Sequence, residues 1–87
     1  MRIVWDEPKR LANIARHGMD FADLDEAFFE AFFEGSVIVP AKSGRLIAVG
    51  RHHGGIILVV FVVLGAEGLS VVSMRPASRK ERRLIDG

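Results

Sequence analysis

The sequence predicts an α+β domain: a mostly antiparallel sheet with two N-terminal helices and a short C-terminal helix, in the order β-α-α-β-β-β-β-α. Three observations carry that expectation. Nine apolar residues, Ile56-Ile57-Leu58-Val59-Val60-Phe61-Val62-Val63-Leu64, run unbroken between Gly54-Gly55 and Gly65-Ala66-Glu67-Gly68. A run of that length between turn signals reads as a strand buried on both faces, and it is far short of the ~20 residues a membrane span needs. The glycine pairs at its ends fold neighbouring strands back onto it, 45–53 on one side and 69–75 on the other. Helical periodicity and capping residues appear only outside this block, near Asp6, Asp20 and Ser78.

Residues Arg2 to Trp5 are short and apolar and form a first strand. Asp6-Glu7-Pro8 starts a helix, with Asp6 as N-cap and an acid and a proline in the first turn. Leu11, Ile14 and Ala15 recur at helical spacing and mark its buried stripe. Arg16, His17 and Gly18 close it, with glycine at the left-handed C-terminal position. Lys9, Asn13 and Arg16 fall on its polar side. Asp20 opens a second helix whose apolar face is Phe21, Leu24, Ala27, Phe28 and Ala31, ending between Glu30 and Gly35. The segment Ala27-Phe28-Phe29-Glu30 is repeated at once as Ala31-Phe32-Phe33-Glu34, and its phenylalanines are core material. Ser36 to Pro40 is β-rich, with Pro40 at an edge or strand end because it cannot donate to a ladder. Lys42-Ser43-Gly44 is a turn. Pro76 stops the last strand, and Ser78-Arg79-Lys80-Glu81 is a capping box opening a helix that ends near Asp86.

With Gly54-Gly55 as a two-residue turn, Arg51 falls opposite Leu58, and Leu58 opposite Arg75. The three then share one face, with the arginine backbones two strand spacings, ~10 Å, apart. Long side chains converge from there on one phosphate.

The 87 residues make one domain, 1–87, that buries roughly 60–65% of its unfolded surface, so modest stability is expected. There is no cysteine, which removes disulfides and thiolate chemistry and suits a reducing cytoplasm. The N-terminus shows no long apolar stretch of the kind a signal peptide carries. Net charge is only +1, but its distribution is uneven. Six acids and no base lie between Asp20 and Glu34, and five bases with one acid lie between Arg75 and Arg83. This is either two solvated helix faces of opposite sign or a basic site for a polyanion.

No metal-binding spacing, Walker loop or Ser/His/Asp set is present. His52 and His53 are adjacent, so in a strand they face opposite ways and cannot share an ion; they read as exposed turn histidines. The remaining residues suit RNA cleavage without a metal or other cofactor. That reaction needs a group to take the 2′-OH proton, a group to protonate the leaving oxygen, and cations for the charge on phosphorus oxygens. Arg75 and Arg51 are the candidate phosphate clamps, because a guanidinium fork binds phosphate bidentately. Arg79, Lys80, Arg82 and Arg83 would hold flanking phosphates. His17 has the intrinsic acidity for proton transfer, or it is a helix C-terminal histidine that favours the dipole. Glu81 is a base or the capping partner of Ser78. Trp5 stacks on a base or belongs to the core.

Several stretches together resemble the BrnT-type toxins of bacterial toxin–antitoxin systems. They are Trp5-Asp6-Glu7-Pro8-Lys9 with Asn13, His17-Gly18-Met19-Asp20-Phe21, Arg45-Leu46-Ile47-Ala48-Val49-Gly50, Leu58-Val59-Val60-Phe61, and Ser73 through Arg83. The resemblance implies a RelE-like fold and a growth-arresting endoribonuclease acting in the cytoplasm. It also implies a DNA-binding antitoxin partner, through which alone the pair reaches DNA. It favours Lys9, His17, Arg75, Arg79 and Glu81 as site residues. Pro76 stands where the family usually has a second arginine, and Leu84-Ile85 where a tyrosine is frequent. Two hypotheses follow: an active toxin, or a catalytically weakened protein-binding module that survives as the antitoxin's partner.

Overall fold

The computed structural model describes residues Arg2–Asp86. Its elements are β1 (Arg2–Trp5), α1 (Glu7–His17), a 3-10 turn (Phe21–Asp23), α2 (Glu26–Glu34), β2 (Val37–Pro40), β3 (Leu46–His52), β4 (Gly55–Leu64), β5 (Gly68–Pro76) and α3 (Arg79–Asp86). The five strands form one sheet in the order β1-β5-β4-β3-β2, antiparallel except for the β1–β5 pair. The expected α+β architecture and element order are therefore found.

Strand β4 is the axis of the core. Ile57, Val59 and Phe61 point to one face and join Phe21, Leu24, Phe29, Phe32, Leu69, Val71 and Met74 in the main cluster. Ile56 and Leu58 point to the other and join Val49, with Ile47, Val60, Ala77 and Ile85 packed around them. The strand is buried on both faces as its unbroken apolar run implies, until Val63 and Leu64 emerge half-exposed at its end.

Four expectations need correction. The β3–β4 turn is His53-Gly54, not Gly54-Gly55: both residues have positive φ, 48° and 81°, as a tight primed hairpin turn requires. The register slips by two, so Arg51 stands opposite Ile56, and Val49 opposite Leu58. A slip of two preserves the faces, and Leu58 does pair with Arg75.

The buried residue of α1 is Asn13 at 7% exposure, while Leu11 is 57% exposed and Ala15 is exposed. The cause is where α1 lies. β1 pairs with β5 only as far as Trp5↔Val71, so beyond Val71 that edge of β5 has no strand beside it. α1 packs along β5, and Asn13 Oδ1 accepts the Met74 N–H at 3.2 Å. An amide there satisfies a backbone donor that an aliphatic side chain would leave unpaired.

The segment from Asp20 is not one helix. Asp20 caps the 3-10 turn through the Ala22 N–H at 2.9 Å, and Asp25 separately caps α2 through the Phe28 N–H at 2.7 Å. Arg10 grips both oxygens of Asp20, at 2.7 and 2.9 Å, and holds the turn against α1. In α2 the buried side chains are Phe29 and Phe32; Ala27 and Ala31 are exposed.

Lastly, the paired histidines do not face apart. His52 is half-buried, edge-on to the Phe28 ring at 4.7 Å, and its ring lies 4.1 Å from that of His53. The left-handed turn at His53 swings that side chain back over its neighbour.

Candidate functional site

The C-terminal capping box forms as its spacing requires. Ser78 N–H donates to Glu81 Oε1 at 2.7 Å, and Glu81 N–H donates to Ser78 Oγ at 3.2 Å. Glu81 does a second job at the same time. Its two oxygens take both terminal nitrogens of Arg75, each at 2.8 Å. Those charge-assisted bonds hold the Glu81 carboxyl down at about 2 and raise Arg75 above its ordinary value. At the far end of α3, Arg51 Nη2 meets Asp86 Oδ1 at 2.5 Å. The two arginines share a sheet face, yet each holds a carboxylate of α3 and they engage opposite ends of that helix.

The remaining cations of α3 are unencumbered. Arg79, Lys80, Arg82 and Arg83 are exposed, and none has an ion-pair partner among the described residues. Arg79, Arg82 and Arg83 line a shallow depression of about 390 Å³ with Ala77 and Asp86.

A second concavity, about 330 Å³, lies between α1 and β5. Lys9, Ala12, Asn13, Arg16 and His17 line it from α1, Val72 and Ser73 from β5, and Arg45 from the residue preceding β3. No carboxylate lines it, and Lys9, Arg16 and Arg45 have no ion-pair partner among the described residues. A register shift between Val60 and Phe61 leaves Val72 as an extra residue in β5, beside Ser73. Such bulges often re-aim side chains next to functional sites.

The groove joins two residues expected from sequence, Lys9 and His17, to two that the sequence does not single out, Arg16 and Arg45. Arg16 carried a weak signal, since Lys9, Asn13 and Arg16 recur along one side of α1. Arg45 carried none, because its approach to α1 is made by the sheet and not by sequence neighbours. Arg75 lies two residues beyond Ser73 on β5. Trp5 is elsewhere: it is half-buried against the main core and borders a hollow with Ile3, Ala22, Leu24, Asp25 and Glu26. Two acids in that hollow are unfavourable neighbours for a nucleic-acid backbone.

A small α+β domain with unpaired cations along a groove and one imidazole among them carries the kinds of group that binding an anionic chain requires. Comparisons with known proteins define the class. The family model described as "Ribonuclease toxin, BrnT, of type II toxin-antitoxin system" matches residues 5–81. The crystal structure of the Brucella abortus ribonuclease toxin BrnT superposes with a TM-score of 0.79 at 54% identity, covering 91% of this chain and 99% of that one. No curated protein matches the chain. The chain belongs to the BrnT family: it is a ribonuclease toxin of a type II toxin–antitoxin system, with RNA as substrate and an antitoxin as partner. The reading as a module that has lost catalysis is not favoured. No described helix is long and apolar enough to cross a membrane.

Proposed function

We propose that RNA is cleaved in the groove between α1 and β5, by a metal-independent transfer at phosphorus. His17 accepts the 2′-OH proton as O2′ attacks, the P–O5′ bond breaks, and the imidazolium so formed returns the proton to the leaving O5′. Lys9, Arg16 and Arg45 take up the charge that builds on the phosphorus oxygens. Arg79, Lys80, Arg82 and Arg83 hold neighbouring phosphates along α3. Glu81 is a weak base while Arg75 holds it, so its part is to keep Arg75 in place until a phosphate competes for the same fork. Arg51 serves to tie down the end of α3.

The observation that carries this reading is the set of three unpaired cations and a histidine lining one groove with no acid among them. Purified toxin is expected to cut RNA in EDTA, and His17→Ala to lower kcat by about 100-fold or more. A His17→Ala protein with full activity would refute it.

The antitoxin is expected to be a DNA-binding protein that inhibits by covering the cationic surface of α3, in the cytoplasm where RNA and both proteins meet. Titrating antitoxin into a single-turnover assay should abolish RNA binding; unchanged binding at saturating antitoxin contradicts that arrangement.

A further inference from the structure

We infer that Asn13 is a positioning residue for the reaction, setting where His17 stands in the groove; the inference rests on the groove being the reaction site. Asn13 is the one buried polar residue among those described. Both ends of its amide are used: Oδ1 accepts from Met74 N–H at 3.2 Å, and Nδ2 donates to Met19 O at 3.0 Å. The first bond fastens α1 to β5 one residue from Ser73. The second fastens the chain just after Gly18, where a left-handed φ of 67° ends α1. His17 lies between these two anchors, one helical turn above Asn13 and on the same side of the helix. Lys9 stands one turn below. A single side chain therefore fixes the helix that carries Lys9, Arg16 and His17 against the strand that carries Ser73 and Arg75.

A hydrophobic residue of the same size would fill the space but leave the buried Met74 N–H and the Met19 carbonyl without this partner, so the amide serves stability as well as position. The amide adds register: the bond to Met74 does not survive a small slide of α1 along β5, and the bond to Met19 fixes the turn that follows His17. Reaction rates tolerate such slides poorly, and a misplacement of ~1 Å costs roughly 100-fold.

Two substitutions separate this role from plain stabilisation. Asn13→Ala removes both bonds. Asn13→Asp keeps the acceptor for Met74, loses the donor to Met19, and sets a carboxylate beside His17, facing Lys9 and Arg16 on the helix and Arg45 across the groove. At a temperature where circular dichroism shows a folded protein, Asn13→Ala should lower kcat by roughly 100-fold with KM changed less than about threefold. Asn13→Asp should move the acid limb of the kcat–pH profile upward by about half a unit or more. A folded Asn13→Ala toxin with kcat within about threefold of the parent overturns the inference, and so does an Asn13→Asp toxin with an unshifted profile, which decides the matter if the alanine variant does not fold. His17→Ala runs beside them. Full activity there removes the groove as the reaction site, whereas an inactive His17→Ala with parent-like Asn13 variants removes only the positioning role.

Discussion

Arg75 and Glu81 form a bidentate pair for which a phosphate would compete. A carboxylate and a phosphate present the same two-oxygen face to a guanidinium, so RNA must displace Glu81 to use the Arg75 fork. Glu81→Gln removes the charge-assisted competitor while leaving a side chain that can still cap α3. Equilibrium RNA binding should tighten by about three- to tenfold. If Glu81 were the essential base, binding would stay put and kcat would collapse, so a binding isotherm beside a turnover assay separates the two roles. The same pair makes stability depend on acidity. Glu81 is lowered from 4.5 to about 2 in the folded chain, so its contribution is complete above about 4.5 and is lost as pH falls towards 2. With partial exposure discounted, denaturant titrations should show about 1–2 kcal/mol disappearing across that window in the parent and not in Glu81→Gln. His52 works in the opposite range. Burial first, then the adjacent His53, lower its proton affinity against a smaller opposing pull from Asp23. The folded state therefore prefers neutral His52, and stability should decline as pH drops through 6.5. In His52→Phe, which keeps the ring contact with Phe28, the melting temperature should respond less to pH over that range.

Elements meet through a few contacts that sequence patterns mark unevenly. Gly50 is the clearest: a Cβ there would overlap the Phe32 ring and Ser36 Oγ, where α2 and the chain after it cross β3. Gly50→Ala should cost about 1–3 kcal/mol and lower the melting temperature by roughly 5–15 °C. Gly54 has nothing within 4 Å of that position but a φ of +81°, so Gly54→Ala should cost only about 1–2 kcal/mol, from the backbone alone. A calorimetric ranking in which Gly54→Ala is the more damaging would contradict the close packing of α2 on β3. The same contrast explains what could be read beforehand. Caps are local, so Asp6, Gly18 and the Ser78–Glu81 box marked their helix ends correctly. The face of β4 was legible because its period is two. What failed was set from a distance. Asn13 is buried because β1 ends at Trp5, and Asp20 is held off α2 by Arg10 of α1; the hairpin turn is the exception, a local choice between two adjacent residue pairs that the glycines alone did not settle. The groove was half legible: Lys9 and His17 lie eight residues apart on one helix, while Arg45 reaches them only through the folded sheet.

Charge sets how the whole molecule meets a polyanion. Acids cluster on the 3-10 turn and α2, packed on one face of the sheet; the free cations lie on α1, the start of β3 and α3. The net charge of +1 hides this separation, because the two sets nearly cancel in the sum. Single-stranded nucleic acid bound by Z cations releases about 0.7 counterions for each, and affinity falls with salt accordingly. If about four of the groove and α3 cations engage phosphates, the slope of log K against log salt is near −3, and affinity drops roughly 60-fold between 50 and 200 mM. Arg82→Ala with Arg83→Ala should make that slope shallower by about 1.4, weakening all RNA sequences alike, because phosphate contacts carry no base information. Arg45→Ala should shift the slope by about half as much and, if the groove is the reaction site as proposed, also lower kcat. Fluorescence-anisotropy titrations of one oligonucleotide at four salt concentrations suffice. A nearly flat slope in the parent would mean that RNA is held chiefly by stacking or base-edge contacts, and would leave the unpaired cations of α3 without a part in RNA binding.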